Sequence, residues 1–185
     1  LAFFYFLKGV LTMKTHKLIS TALLLALGVL LPMIFHSVGL GRAFLPMHLP
    51  ALLAGLLLGP GSGLIVGVLT PLLSTLFTGS PPPAIAVPML VELGAYGLAG
   101  GLLYQKRRLN VYLSLVLAIV CGRLVYGLFG ATLLPLLGFD PIPVFYLFTA
   151  GLLEAIPGLV LQLVVIPLIV KLVERSPAFK KEESA

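Results

Sequence analysis

Apolar stretches near the length of a bilayer recur along this chain, each closed by a glycine- or proline-rich break. That repetition constrains the fold more than any single motif. A helix needs about 20 apolar residues to cross about 30 Å of hydrocarbon. Six segments read as helices: about Leu18 to Ile34, Met47 to Leu58, Leu64 to Phe77, Ala84 to Tyr104, Val111 to Leu137 and Val144 to Val173. The second, at about twelve residues, is short for a full span and is expected as a tilted or partial helix packed inside a bundle. The breaks have their own chemistry. Ser37 to Pro46 is a polar, glycine-containing loop carrying Arg42, and Gly59-Pro60-Gly61-Ser62-Gly63 is a turn signal. Thr78 to Pro83 ends in three consecutive prolines, which cannot continue a helix, and Gly138 to Pro143 is a fourth loop.

Composition agrees. Hydrophobic residues make up 59% of the chain and charged residues 10%, whereas a water-facing globule carries about a quarter charged. The net charge of +6 is placed for topology and not for nucleic acid. Lys8, Lys14 and Lys17 precede the first long run, Lys106, Arg107 and Arg108 cluster in mid-chain, and Lys171, Arg175, Lys180 and Lys181 follow the last. Basic residues gather on the cytoplasmic side of membrane proteins. An even number of spans puts every cluster on that side, and an odd number strands at least one. The expected fold class is therefore an all-α membrane protein, a six-transmembrane-helix bundle with both termini cytoplasmic. A nucleic-acid binder needs a continuous basic face, and this chain has none.

Residues 1–12 are apolar but too short to span, and no signal-peptide cleavage pattern follows them. They read as an extension outside the core, with the membrane domain over residues 13–176 from Met13 and a charged tail over 177–185. The single Cys121, within an apolar segment, reads as a small packing residue. Small residues stand four apart at Ala22/Ala26, Gly55/Gly59, Gly63/Gly67 and Gly97/Gly101, the spacing that lets membrane helices approach closely. Three of these pairs read as packing within the bundle. Ala22/Ala26, near the entry of the first helix, is positioned for a partner protein.

The informative residues are those lipid does not tolerate. A charge at a helix centre costs about 2.5–3.5 kcal/mol, so each implies a partner or a polar cavity. Glu92, Arg123 and Glu154 fall in the fourth, fifth and sixth spans, His48 opens the second segment, and Gln162 lies in the sixth. Counting from the basic clusters puts the three charges in one layer in the outer half of the bundle. That layer is either a binding site for a polar solute arriving from outside or a Glu-Arg-Glu network tying helices together. Tyr96, one turn from Glu92, and Tyr126, three residues after Arg123, flank the same region. Arg42, His36 and His48 border the first outer loop. Convergent metal ligands are missing from the pattern, so no metal site and no cofactor are expected. The sequence also lacks a P-loop and any His after position 48 to serve Ser62 as a base, which argues against an enzyme.

Four stretches carry a family resemblance: Ala22-Leu-Leu-Leu-Ala26, Phe44-Leu-Pro-Met-His-Leu-Pro-Ala-Leu-Leu-Ala-Gly55, Gly122-Arg123-Leu-Val-Tyr126-Gly127 and Ile156-Pro-Gly-Leu-Val-Leu-Gln162. The chain resembles the substrate-binding S components of energy-coupling factor (ECF) transporters, most nearly the pantothenate- and folate-type group. The likeness runs from Met13 to about Arg175. It implies a prokaryotic plasma-membrane protein that captures a water-soluble vitamin or similar micronutrient at the external side, under the first and third outer loops. It also implies partners, a transmembrane coupling protein and two ABC-type ATPases. Ala22 and Ala26 match the face that packs on the coupling protein. Candidate substrate-binding residues are Arg42, His48, Glu92, Tyr96, Arg123, Tyr126 and Glu154. Arg42 and Arg123 favour a carboxylate-bearing solute, whereas Glu92 and Glu154, if they face the pocket, favour a neutral or cationic one. The alternative function is a stand-alone secondary transporter or channel, which requires an inverted repeat or a continuous polar path. Neither is visible.

Overall fold

The computed structural model describes residues 15–37, 39, 44–141 and 150–176; for residues 36, 37 and 150–154 the description stops at the backbone. Among the described residues six α-helical segments follow one another: α1 (Thr15–Ser37), α2 (His48–Leu53), α3 (Pro60–Thr78), α4 (Pro83–Gly101), α5 (Val111–Leu136) and α6 (Ala150–Arg175). α2 runs on as a π turn over Ala54–Leu58, and α4 ends in another over Leu102–Lys106. No strand occurs among the described residues. Five of the helices are long and apolar enough to cross a membrane. The segment His48–Leu58 is not; at 1.5 Å per residue it reaches only about 16 Å.

That short segment is the hub, as its length implies. It packs against α1, α3, α4 and α6, while the longer helices pack in sequence around it. Ala51, Leu52 and Ala54 are wholly buried, and they share one apolar cluster with Val66, Leu93, Tyr96, Leu115 and Ile166. The outer faces of the long helices are apolar as well: Leu23, Leu76, Leu128, Val164 and Leu172 are all well exposed. A bundle that is hydrophobic all round belongs in lipid, where outward leucines lose nothing.

The helices break where backbone chemistry requires it, with one departure from expectation. Gly59-Pro60-Gly61-Ser62-Gly63 is not a loop. Gly59 alone makes the reversal, at φ +98°, and Pro60 starts α3 immediately. Proline suits a first helical position because its missing N–H has no partner to lose there. At the other end of α3, Gly79 closes the helix at φ +70° and donates its N–H to the Thr75 carbonyl. The Ser74 and Thr75 hydroxyls donate to the Ser80 and Pro81 carbonyls at 2.7 and 2.8 Å, and α4 opens on Pro83. The triple proline is thus a tight helical hairpin. Asn110 caps α5, accepting from the Tyr112 N–H at 2.9 Å.

The hairpin partners, α3 and α4, are the most closely packed pair. A Cβ on Gly63 or Gly97 would run into the backbone of the other, one on Gly67 into the backbone at Leu93, and one on Gly55 into the Gly97 carbonyl. The small-residue pairs of these helices are therefore internal packing surfaces. Ala22 and Ala26 are both exposed on α1. The extension over 1–12, the tail over 177–185 and Arg42 lie outside the described residues.

Candidate substrate site

Glu92 lies on α4 with its side chain 3% exposed, in the interior of the bundle. Three groups converge on its Oε1. Tyr96, one turn along the same helix, donates its hydroxyl at 2.8 Å. Arg123 on α5 brings Nη1 to 3.3 Å, and His48, the first residue of α2, brings Nε2 to 3.9 Å. The His48 and Tyr96 rings lie 5.2 Å apart at 48°, so the imidazole leans on the phenol.

Local sequence explains the convergence. Glu92 and Tyr96 are four apart and share a helix face. Gly122 precedes Arg123, and a Cβ there would fall on the Tyr96 ring; glycine at 122 lets α5 close over Tyr96 and carries Arg123 to Glu92. His48 is oriented by the turn before it, where its N–H donates to the Leu45 carbonyl at 3.1 Å. The buried Pro46 and Met47 anchor that turn.

The electrostatics are compensated but not saturated. Glu92 and Arg123 form an ion pair, which removes the main objection to either charge in lipid. Both ring nitrogens of His48 are buried and lack a hydrogen-bond partner among the described residues; the Glu92 contact at 3.9 Å is an electrostatic one, too long for a bond. Buried polar groups are normally bonded, so His48 is a group with capacity in reserve. Tyr126 is half-buried and within electrostatic reach of Tyr96.

The structure thus brings together four residues that the sequence singled out, His48, Glu92, Tyr96 and Arg123, with Tyr126 beside them. Glu154 is described only as a backbone position on α6, and Arg42 lies outside the described residues. One residue that stood out as polar without being assigned to a site is Gln162. It is wholly buried, and neither its Oε1 nor its Nε2 has a partner among the described residues. Its signal in the sequence was an amide at helical spacing from Gly158 and Ile166, on what is the buried stripe of α6. No group of three or more His, Cys, Asp or Glu suited to a metal occurs among the described residues.

A different arrangement occupies the end of the bundle that carries Lys106, Arg107 and Arg108. There the Gln105 amide donates to the Leu56 carbonyl at 2.9 Å, joining the two π turns. Thr21 donates to the Lys17 carbonyl at 2.7 Å, and its hydroxyl oxygen is hydrogen-bonded with the Ser62 hydroxyl at 3.1 Å. Tyr104 donates to Glu174 at 2.6 Å, and the Lys171 ammonium sits 5.3 Å from the centre of the Tyr112 ring. These polar groups are engaged with one another.

The family model described as "ECF transporter, substrate-specific component" matches residues 16–170, which is most of the chain. No curated protein and no solved structure matches it. The match extends over the hub helix, the polar cluster and all five long apolar helices, and a multi-pass transport subunit is what such an architecture serves. The chain belongs to the family of substrate-specific components of ECF transporters.

Proposed function

We propose that this chain captures a water-soluble vitamin or related micronutrient at the external side of a prokaryotic cell membrane and delivers it inward with the ECF module. The observation that carries the reading is the buried cluster of His48, Glu92, Tyr96 and Arg123, which combines a compensated ion pair with two imidazole nitrogens that have no hydrogen bond among the described residues. A network serving only to tie helices would saturate its members, because an unmade buried hydrogen bond costs about 1–3 kcal/mol. Tyr126, Arg42 and Glu154 are the further candidates around the solute. The termini and the basic clusters face the cytoplasm by the positive-inside rule. The module partners are the transmembrane coupling protein and two ABC-type ATPases. The exposed Ala22/Ala26 face of α1 is the candidate contact with the coupling protein, since small residues permit close helix approach in lipid.

Native mass spectrometry of the purified protein tests the capture role, with thermal shift against a panel of water-soluble vitamins as its complement. A solute at a hundred times its Kd adds about 2.7 kcal/mol to stability. A preparation that carries no small molecule and is stabilised by none of the panel sinks the reading.

A further inference from the structure

Among the described residues Thr70, Ser114 and Gln162 are buried polar side chains outside the cluster around Glu92 with atoms that lack a hydrogen-bond partner, and Gln162, with two such atoms, is the largest of them. It lies on a stripe of α6 with Ala155, Gly158, Ile166 and Val170, all buried. Ile166 and Val170 join the apolar cluster that holds Leu52 and Tyr96, and α6 packs chiefly on α2 and α5. The stripe therefore faces the helices that carry His48 and Arg123.

Two contacts at the basic end fix its depth. The Tyr104–Glu174 hydrogen bond levels the end of α4 with the end of α6, so the two helices run parallel. Glu92 precedes Tyr104 by twelve residues and Gln162 precedes Glu174 by twelve, which puts both about 18 Å from that bond. The Lys171–Tyr112 contact levels α6 with α5. Nine residues from it on each helix stand Gln162 and Cys121, leaving Arg123 about 3 Å farther along. The two gauges agree that Gln162 shares the layer of Glu92 and Arg123. Glu154 stands eight residues, or about 12 Å, farther from the basic end.

At that depth an amide with neither atom hydrogen-bonded among the described residues is a group with capacity for something that arrives. We propose that Gln162 is the α6 contribution to the substrate site and that it selects an uncharged group presenting a donor beside an acceptor, such as an amide, a lactam edge or a hydroxyl. The amide offers one acceptor and two donors. Glu92 and Arg123 already neutralise each other, so a charged solute has to break that pair or be buried uncompensated. A site made of hydrogen-bonding groups rejects analogues that cannot complete them. This inference rests on the capture reading above.

The test uses the full chain in lipid nanodiscs, with matched neutral and anionic probes: nicotinamide against nicotinate, pantothenol against pantothenate, and riboflavin against riboflavin phosphate. Binding is read by thermal shift and calorimetry. At least one neutral member is expected to bind wild type at least tenfold tighter than its anionic counterpart. Gln162→Leu and the unbranched Gln162→Met are expected to raise the melting temperature of the empty protein while weakening that probe at least tenfold. A fall in the melting temperature of both empty variants shows that the amide is bonded within the protein, and overturns the inference. Preference for the anionic probes, or variants that bind as wild type does, overturns it too and leaves the capture reading standing. Wild type indifferent to every probe overturns the inference, and the capture reading then stands or falls on the vitamin panel.

Discussion

The seam between α3 and α4 and the cluster around Glu92 lie side by side, and they solve opposite problems. Along the seam, Gly63, Gly67 and Gly97 bring backbone against backbone, with no space left for a Cβ. Around Glu92, bulky polar side chains from α2, α4 and α5 meet, and His48 has no hydrogen bond to its ring nitrogens among the described residues. Tyr96 ties the cluster to α5, since it is almost wholly buried, its ring covers Gly122 and its hydroxyl bonds Glu92. The difference teaches where rigidity is placed. Lipid supplies no hydrophobic force between helices, so close packing must hold them, and that packing is what holds the cluster of polar groups in place.

The comparison breaks most completely at the seam. Gly97→Leu drives a side chain into the Gly63 backbone, and a loss of more than about 4 kcal/mol is expected, since overpacking and cavity effects of that size are the diagnostic extreme. Size-exclusion chromatography of the purified variant checks this; a monodisperse, wild-type-like peak refutes the packing argument. Next comes Arg123→Ala, which leaves Glu92 buried without its cation. About 3 kcal/mol is expected, near the lower end for a broken buried pair because Arg123 is 21% exposed, together with loss of solute binding. Adding Glu92→Gln should restore much of the stability but not the binding. A double variant no more stable than Arg123→Ala means that the two charges are not coupled.

Tyr96→Phe removes one hydrogen bond to a charged group while keeping the ring on Gly122, and about 1.5–3 kcal/mol is expected in chemical denaturation. A change confined to binding, with stability untouched, assigns the hydroxyl to the solute instead. The smallest effect on stability belongs to Ala26→Trp on the exposed face of α1, within about 0.5 kcal/mol. Transport by the assembled module should nonetheless be lost while solute binding persists. Equal loss of both separates Ala26 from the coupling protein.

Much of this was legible in the chain. The hub helix was visible as an apolar run too short to span, and the bundle as five longer ones, because lipid imposes length and apolarity directly on the sequence. Glu92 and Arg123 stood out because charge is rare in such runs. The turn at Gly59 was visible, but its extent was overstated. Glycine and proline there mark a reversal, and only the neighbouring backbone of α4 reveals that Gly63 is helical packing surface.

The apolar helical segments and the polar residues within them were legible in the sequence alone, since each reflects the local cost of placing a residue in hydrocarbon. Which polar residues meet was decided by the tertiary structure. Glu92, Arg123 and His48 are separated by tens of residues, and their convergence on one oxygen depends on how α2, α4 and α5 are rotated and how deep each sits. Those rotations are set by glycines such as Gly97 and Gly122, whose meaning is the space they leave for a neighbour. A sequence names the glycine but not what fills the space beside it.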